Sequence, residues 1–112
     1  MKINILGEKY NIRSDNNKNP KLIDANAYVE FYSKEIVYSN DLFKASDCRK
    51  YDNIKEFGKK VLRHEAIHAI LQESGCTYWS ENEELVEFLA YQYPKIKKIC
   101  DEIETIAEEQ TE

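Results

Sequence analysis

The middle of the chain reads Val61-Leu62-Arg63-His64-Glu65-Ala66-Ile67-His68-Ala69. Apolar residues recur in and around this stretch at steps of three and four, which predicts an amphipathic helix. Residues four apart on a helix lie one above the other, so His64 and His68 project to the same side. The pattern therefore predicts a helix that presents both histidines of the chain on one face.

The ends of this helix are also readable from the sequence. Asn53 with Glu56 resembles an N-terminal capping pair. Ser74-Gly75 is a natural stop, because glycine tolerates the left-handed conformation that commonly follows a helix. We expect the helix to run between these two signals.

The spacing His64-Glu65-Ala66-Ile67-His68 indicates metal chemistry. Neutral imidazole nitrogens are ligands for zinc, and a zinc ion with an open position lowers the pKa of its bound water to about 7. Glu65 lies about 100° around the helix from His64, close enough to reach such a water without binding the metal. We predict His64 and His68 as zinc ligands and Glu65 as the general base. The alternative is a stacked pair of core histidines beside a solvated glutamate.

A catalytic zinc site usually takes three ligands from the protein, and no third histidine exists. This absence excludes the metzincin pattern, so the third ligand must be a carboxylate or a thiolate. Glu83 is the predicted third ligand, with Glu87 on the same helical face supporting a metal-binding histidine. Glu84 is the alternative ligand, and Glu83 could instead close a capping box with Ser80.

The first half of the chain is β-rich. Two hairpins are expected from strand-like runs at Lys2–Leu6, Lys9–Arg13, Ala27–Tyr32 and Glu35–Ser39, the first two around a tight turn at Gly7-Glu8. The polar segment from Ser14 to Pro20 is predicted to be a loop.

The second half is predicted to be helical. A glutamate helix should begin at Ser80 and run to about Tyr93, and Pro94 suits the first turn of a C-terminal helix. We therefore expect an α+β fold. A small antiparallel or mixed sheet packs on the histidine helix, followed by the glutamate helix and the C-terminal helix, in one domain spanning residues 1–112.

The C-terminal helix carries a single apolar stripe, formed by Ile96, Ile99, Ile103 and Ile106. We expect the stripe to dock against the core of the domain. The alternative is a homodimer seam, because the stripe follows a seven-residue repeat. The same helix, or the acidic tail behind it, could cover the active-site cleft and make the protein latent.

Composition restricts the function classes. The net charge is −5 without a dense basic patch, which argues against a nucleic-acid binder. No apolar run approaches the roughly 20 residues of a membrane span, and the N-terminus lacks the features of a signal peptide. The cysteines Cys48, Cys76 and Cys100 are odd in number and form no CxxC pair, which predicts reduced thiols and a cytoplasmic location. Cys48 alone precedes the histidines and is a further candidate to approach the metal.

The histidine motif followed by Asn82-Glu83-Glu84-Leu85-Val86-Glu87 resembles the gluzincin pattern, HExxH and then Asn-Glu-x-x-x-Asp, with Glu87 in place of the aspartate. The compact size and element order are similar to the minigluzincins and to short zincin-like proteins of bacteriophages and prophages. More distantly the layout resembles the ImmA/IrrE-type peptidase domain. The resemblance implies a zinc-bound water, peptide-bond hydrolysis and a peptide or protein substrate bound as an extended strand at the sheet edge. The strand Ile36-Val37-Tyr38 is the candidate edge.

One part of the larger gluzincin site has no clear counterpart, namely the residue that stabilises the tetrahedral oxyanion. A tyrosine would have to serve, with Tyr78, Tyr91 and Tyr93 as candidates. The alternative function is therefore a catalytically weak, latent or inactive zinc-stabilised binding module of a phage or mobile element.

Overall fold

The computed structural model describes residues 1–44 and 53–111, so Cys48 lies outside the described residues. Its elements, in chain order, are strands β1 (Lys2–Ile5) and β2 (Glu8–Asp15), a 3-10 helix (Pro20–Leu22), strands β3 (Ala27–Glu30) and β4 (Glu35–Ser39), and helices α1 (Ile54–Glu73), α2 (Thr77–Ser80) and α3 (Glu83–Gln110). The predicted α+β fold is confirmed. No helix in the described part of the chain is long and apolar enough to cross a membrane.

The four strands form one mixed sheet in the order β1-β2-β4-β3. Both predicted hairpins are present as antiparallel pairs, and β2 and β4 join them in parallel. Strand β2 extends to Asp15, two residues into the segment predicted to be a loop, because Ser14 and Asp15 pair with Tyr38 and Ser39 of β4.

The predicted sheet edge was wrong. Strand β4, which contains Ile36-Val37-Tyr38, is paired on both sides, and Val37 is fully buried. Among the described strands, the free edges belong to β1 and β3. Strand β3 also packs against α1, so its edge lies beside the histidine helix.

The sheet is held on α1 by a small apolar core and by two part-buried polar contacts to Glu73. Tyr10 and Ile36 of the sheet pack with Ala69 of α1. The Tyr10 hydroxyl donates a hydrogen bond to Glu73 over 2.7 Å, and Lys34 pairs with the same carboxylate at 2.6 Å. These contacts anchor the last turn of α1 to the sheet.

Helix α1 has the predicted ends. The Asn53 side chain accepts a hydrogen bond from the Glu56 backbone N–H. At the other end Gly75 has a φ of 82°, and its N–H and that of Cys76 donate to the carbonyls of Gln72 and Leu71. This arrangement is a Schellman motif, which requires the left-handed conformation that glycine adopts without strain.

Helix α3 begins later than predicted. Asn82 is its N-cap and accepts from the Leu85 N–H at 3.0 Å, so the alternative of a capping box between Ser80 and Glu83 is wrong. Ser80 instead ends α2, and its buried hydroxyl donates to the His68 carbonyl at 3.0 Å.

Pro94 does not begin a new helix, because α3 continues through it to Gln110. Proline has no N–H, so the carbonyl of Ala90, four residues earlier, loses its intrahelical donor. The Arg63 guanidinium fills this position, with Nε donating to the Ala90 carbonyl at 2.8 Å. A hydrogen bond from α1 therefore compensates for the proline in α3.

The expected docking of the C-terminal isoleucines is also wrong. Their exposed fractions are 38% for Ile96, 56% for Ile99, 62% for Ile103 and 54% for Ile106. All described residues beyond Tyr93 are exposed, so the end of α3 projects from the rest of the molecule.

Arg63→Met should lower the free energy of unfolding by about 1.5–3 kcal/mol, since it removes a hydrogen bond from a charged group to the Ala90 carbonyl. In a Pro94→Ala background the backbone N–H at position 94 can donate to that carbonyl, so the same substitution should cost roughly 1 kcal/mol less. Urea unfolding of the four chains of this double-mutant cycle measures the coupling. Purely additive effects would contradict the compensation.

Candidate metal centre

The two histidines lie one turn apart on α1, as predicted. Their ring centroids are 4.8 Å apart, and the Nε2 atoms of His64 and His68 are separated by 3.1 Å. Both side chains are largely buried between α1 and its neighbours, with 18% and 10% of their surfaces exposed. The helical period alone brings the two nitrogens together.

Glu83, in the first turn of α3, faces both histidines. One carboxylate oxygen lies 2.9 Å from His64 Nε2 and the other 3.0 Å from His68 Nε2. The ligand atoms of His64, His68 and Glu83 all lie within 4.8 Å of one another, so this group could hold a metal ion. Tetrahedral bonds of about 2.0–2.1 Å place ligand atoms roughly 3.3 Å apart, close to the observed spacing.

Both ring nitrogens of His64 face carboxylates. Nδ1 lies 3.1 Å from Glu87, and Nε2 lies 2.9 Å from Glu83. A proton on Nδ1 can be donated to Glu87, which leaves the lone pair of Nε2 for a metal ion. The geometry of His64 is therefore compatible with a metal ion held between Nε2 and Glu83.

Glu87 is held in place from both sides. Its second carboxylate oxygen pairs with Lys60 at 2.9 Å. Partial burial opposes its ionisation, but the hydrogen bonds from Lys60 and His64 outweigh burial and hold the pKa of Glu87 below its usual value. The carboxylate that orients His64 is therefore ionised at neutral pH.

Glu65 lies in the same cleft but is not one of the three grouped ligands. Burial raises the pKa of Glu65 to about 7, His64 and the Val29 backbone N–H oppose the rise, and Glu83 adds to it. A carboxylate with a pKa near neutrality can both take up and release a proton at that pH. A cation bound nearby would favour its ionised form.

Ser80 is a positioning residue that sequence reasoning missed. Only 2% of it is exposed, and its hydrogen bond to the His68 carbonyl fixes α2 against α1 just before the chain turns into α3. This contact helps to place Glu83 above the histidines. The sequence carried no signal for it, because a serine two residues before Asn82 reads equally well as a helix cap.

A cleft of about 380 Å³ opens over the histidines and Glu65. It is also lined by Tyr28, Val29 and Phe31 from the β3 side and by Ser80, Glu81 and Glu83. Among the described residues, none beyond Pro94 lines this cleft, so the C-terminal part of the helix, which could have covered it, lies elsewhere in this structure. Glu84 lines a different depression with Asn82, Leu85 and Phe88.

The three tyrosines considered as oxyanion donors do not line the cleft. Tyr78 and Tyr91 are 80% and 63% exposed, and Tyr93 is 49% exposed. Tyr28 contributes to the wall, but its hydroxyl accepts from Asn19 at 2.9 Å, and Lys21 lies over its ring. Among the described residues, the site therefore contains a base candidate and three candidate ligands, and Tyr28 is the one tyrosine that lines its cleft.

Glu83→Ala should weaken binding of a transition-metal probe such as Co²⁺, because it removes a ligand. The loss should exceed the roughly 10–100-fold that is typical when a residue hydrogen-bonded to a ligand is removed. Glu87→Ala should fall within about 10–100-fold, since it only releases the His64 ring. Visible absorption titrations measure both affinities.

Glu84→Ala is the matched control, because this neighbouring glutamate faces another depression. Its Co²⁺ affinity should stay at the wild-type value. A larger loss for Glu84→Ala than for Glu83→Ala would show that the ligand assignment is wrong.

Comparison of the chain with family models, with curated proteins and with solved structures finds no match. The resemblance to gluzincins stays a prediction from the motif.

Proposed function

We propose that this protein is a zinc-dependent metallopeptidase that hydrolyses peptide bonds in an extended substrate. The observation that carries the proposal is the convergence of His64, His68 and Glu83 in one cleft. Glu65 lines the same cleft but is not one of these three, so its carboxylate is available to act on a water molecule. Two imidazoles and one carboxylate are a known catalytic zinc set, which leaves a fourth position for water.

A bound zinc ion would lower the pKa of that water and polarise the substrate carbonyl. A carboxylate oxygen of Glu65 then accepts the proton of the attacking water and returns it to the nitrogen of the leaving amine. Glu87 keeps the His64 ring oriented with Nε2 towards the metal position, and Lys60 keeps Glu87 ionised.

The substrate would bind along β3. Ser39 donates its N–H to the Asn26 carbonyl, and hydrogen-bonded pairs alternate in an antiparallel ladder. Ala27 and Val29 therefore direct their N–H and C=O groups away from β4, towards the free edge. An extended peptide added there would receive main-chain hydrogen bonds and pass over the histidines.

The Val29 N–H also donates to Glu65. A substrate carbonyl that takes over this donor would release the Glu65 carboxylate for proton transfer. Strand addition and activation of the base are thus linked in the proposed mechanism.

Glu65→Gln should retain zinc but lose roughly 10²–10⁴-fold in the rate of peptide hydrolysis, because the amide cannot accept the proton. Zinc content by mass spectrometry and cleavage of an unstructured protein and a broad peptide library measure the two properties. Glu81→Gln is the matched control, because Glu81 lines the same cleft outside the ligand group.

The control should keep wild-type activity. If the wild type holds one zinc ion per chain yet cleaves no better than Glu65→Gln across the library, the peptidase proposal fails.

A second candidate function is a zinc-stabilised binding module with weak or no turnover, of the kind expected for a phage or mobile element. The absence of Tyr78, Tyr91 and Tyr93 from the cleft favours it, because an oxyanion donor usually contributes about 10²–10³-fold to such reactions. In this function the metal would serve to link α1 and α3.

Chelation should lower the melting temperature by roughly 10 °C, relative to protein with free zinc about 100-fold above its dissociation constant. Scanning calorimetry with and without chelator measures the shift. A His64→Ala, His68→Ala double variant should show no shift. An unchanged melting temperature in the wild type would contradict a structural role for the metal. The peptidase and the binding module are told apart by the cleavage assay, because only the peptidase hydrolyses the peptides.

A further inference from the structure

The projecting end of α3 carries a complete coiled-coil seam. Four exposed isoleucines follow one another at steps of three, four and three residues: Ile96, Ile99, Ile103 and Ile106. This spacing is the a/d pattern of a heptad repeat. Towards the N-terminus of the helix the next position of the pattern is Gln92, and the half-buried Leu89 and Leu85 occupy the two before it.

This segment has no tertiary support in the described part of the chain. Every residue from 95 to 111 is exposed, and the local support includes an i,i+4 pair of Lys97 with Asp101 at 2.7 Å. Isolated helices of about 12–15 residues are marginal in water, because most helix stability comes from packing an apolar face. A helix of this length with an apolar stripe is therefore expected to need a partner.

Charges along the segment identify that partner. Its first part is basic, with Lys95, Lys97 and Lys98, and its last part is acidic, with Glu102, Glu104, Glu108 and Glu109. A parallel pair would set like charges side by side. An antiparallel pair sets the basic part of one helix against the acidic part of the other.

We propose that residues 95–110 pair with the same segment of a second copy of this chain as an antiparallel coiled coil. The register joins Ile96 to Ile106 of the second copy and Ile99 to its Ile103. Lys95 and Glu109 then flank the seam at opposite ends and meet across it, which is how charges beside a seam select orientation.

The overlap of about 16 residues is roughly 24 Å long. An interface of this length buries less area than the standard of about 800 Å² per partner. Such small interfaces are typical of weak, reversible association. We therefore expect a dimer that forms with increasing concentration. This inference is independent of the metal centre and of the proposed peptidase activity.

Sedimentation equilibrium of the full chain should show the mass rising from 13.2 kDa towards twice that value as the concentration increases from micromolar to submillimolar. Ile99→Gln with Ile103→Gln should weaken association at least 10-fold, because it removes two central seam contacts without changing charge or lowering helix propensity. Thr105→Gln, on the opposite face, is the matched control and should associate like the wild type.

Urea unfolding, measured on each variant, shows that the remaining domain is folded. A wild-type mass that stays at one chain, or that rises to three or four chains, would overturn the proposal. Equal association of the seam variant and the control would do so as well.

Orientation is tested by charge exchange. Lys95→Glu should weaken the dimer, and adding Glu109→Lys to it should restore association, because the two positions face each other only in the antiparallel register. A double variant that remains as weak as the single one would overturn the antiparallel arrangement.

Cys100 gives a second readout of orientation. It lies beside Ile99 near the midpoint of the overlap. In the antiparallel pair, the two Cys100 residues therefore face each other near the two-fold axis. In a parallel pair, they lie on opposite sides of the seam. In a Cys48→Ser, Cys76→Ser background, diamide takes up the two protons and two electrons that two thiols release, and should yield a covalent dimer.

The matched control places the thiol on the outer face, by Cys100→Ser with Thr105→Cys in the same background. It should remain monomeric on denaturing gels. Equal cross-linking of the two chains, or none through Cys100, would contradict the proposed pairing.

Discussion

The carboxylate of Glu83 contacts two imidazole nitrogens, and the candidate metal centre depends on this contact between α3 and α1. It joins the first turn of α3 to the middle of α1 over 2.9 and 3.0 Å. A carboxylate and an imidazole nitrogen attract each other where a proton or a metal ion lies between them. The contact is therefore suited to a positive charge at this point, and the surrounding residues hold both groups there.

Three contacts at successive places along α1 hold it against α2 and α3 around that point. Lys60 pairs with Glu87 one turn above the ligands, Arg63 donates to the Ala90 carbonyl, and the Ser80 hydroxyl donates to the His68 carbonyl below. Each uses a group that would otherwise be unpaired or weakly paired in the interface. Because these contacts are independent of the ligand atoms, they position Glu83 and Glu87 without requiring the metal.

Features fixed by one local rule could be predicted from the sequence. The shared face of His64 and His68 follows from the helical period, and the ends of α1 follow from the asparagine cap and from Gly75. Glu83 and Glu87 could be predicted as a pair for the same reason. Their approach to the histidines could only be suggested, because it depends on the turn between two helices.

Features that depend on distant partners were missed. The parallel pairing of β2 with β4 places the expected edge strand inside the sheet, and no local pattern marks a parallel neighbour. Pro94 normally indicates a helix boundary, but the donor that replaces its missing N–H is on another helix, 31 residues earlier. Ser80 and Asn82 are both residue types that cap helices. The Ser80 hydroxyl bonds to the distant His68 carbonyl instead, so Asn82 caps α3.

The continuity of α3 through Pro94 has a functional consequence. One helix carries Glu83 at its start and the isoleucine seam at its end, and its 28 residues span about 42 Å. Val86 and Ala90, which face α1, are fully buried, whereas the seam lies roughly 150° around the same helix. Pairing along the seam would therefore cover neither α1 nor the cleft beside β3. The proposed association and the proposed metal chemistry would thus occupy different faces of one helix, and neither would block the other.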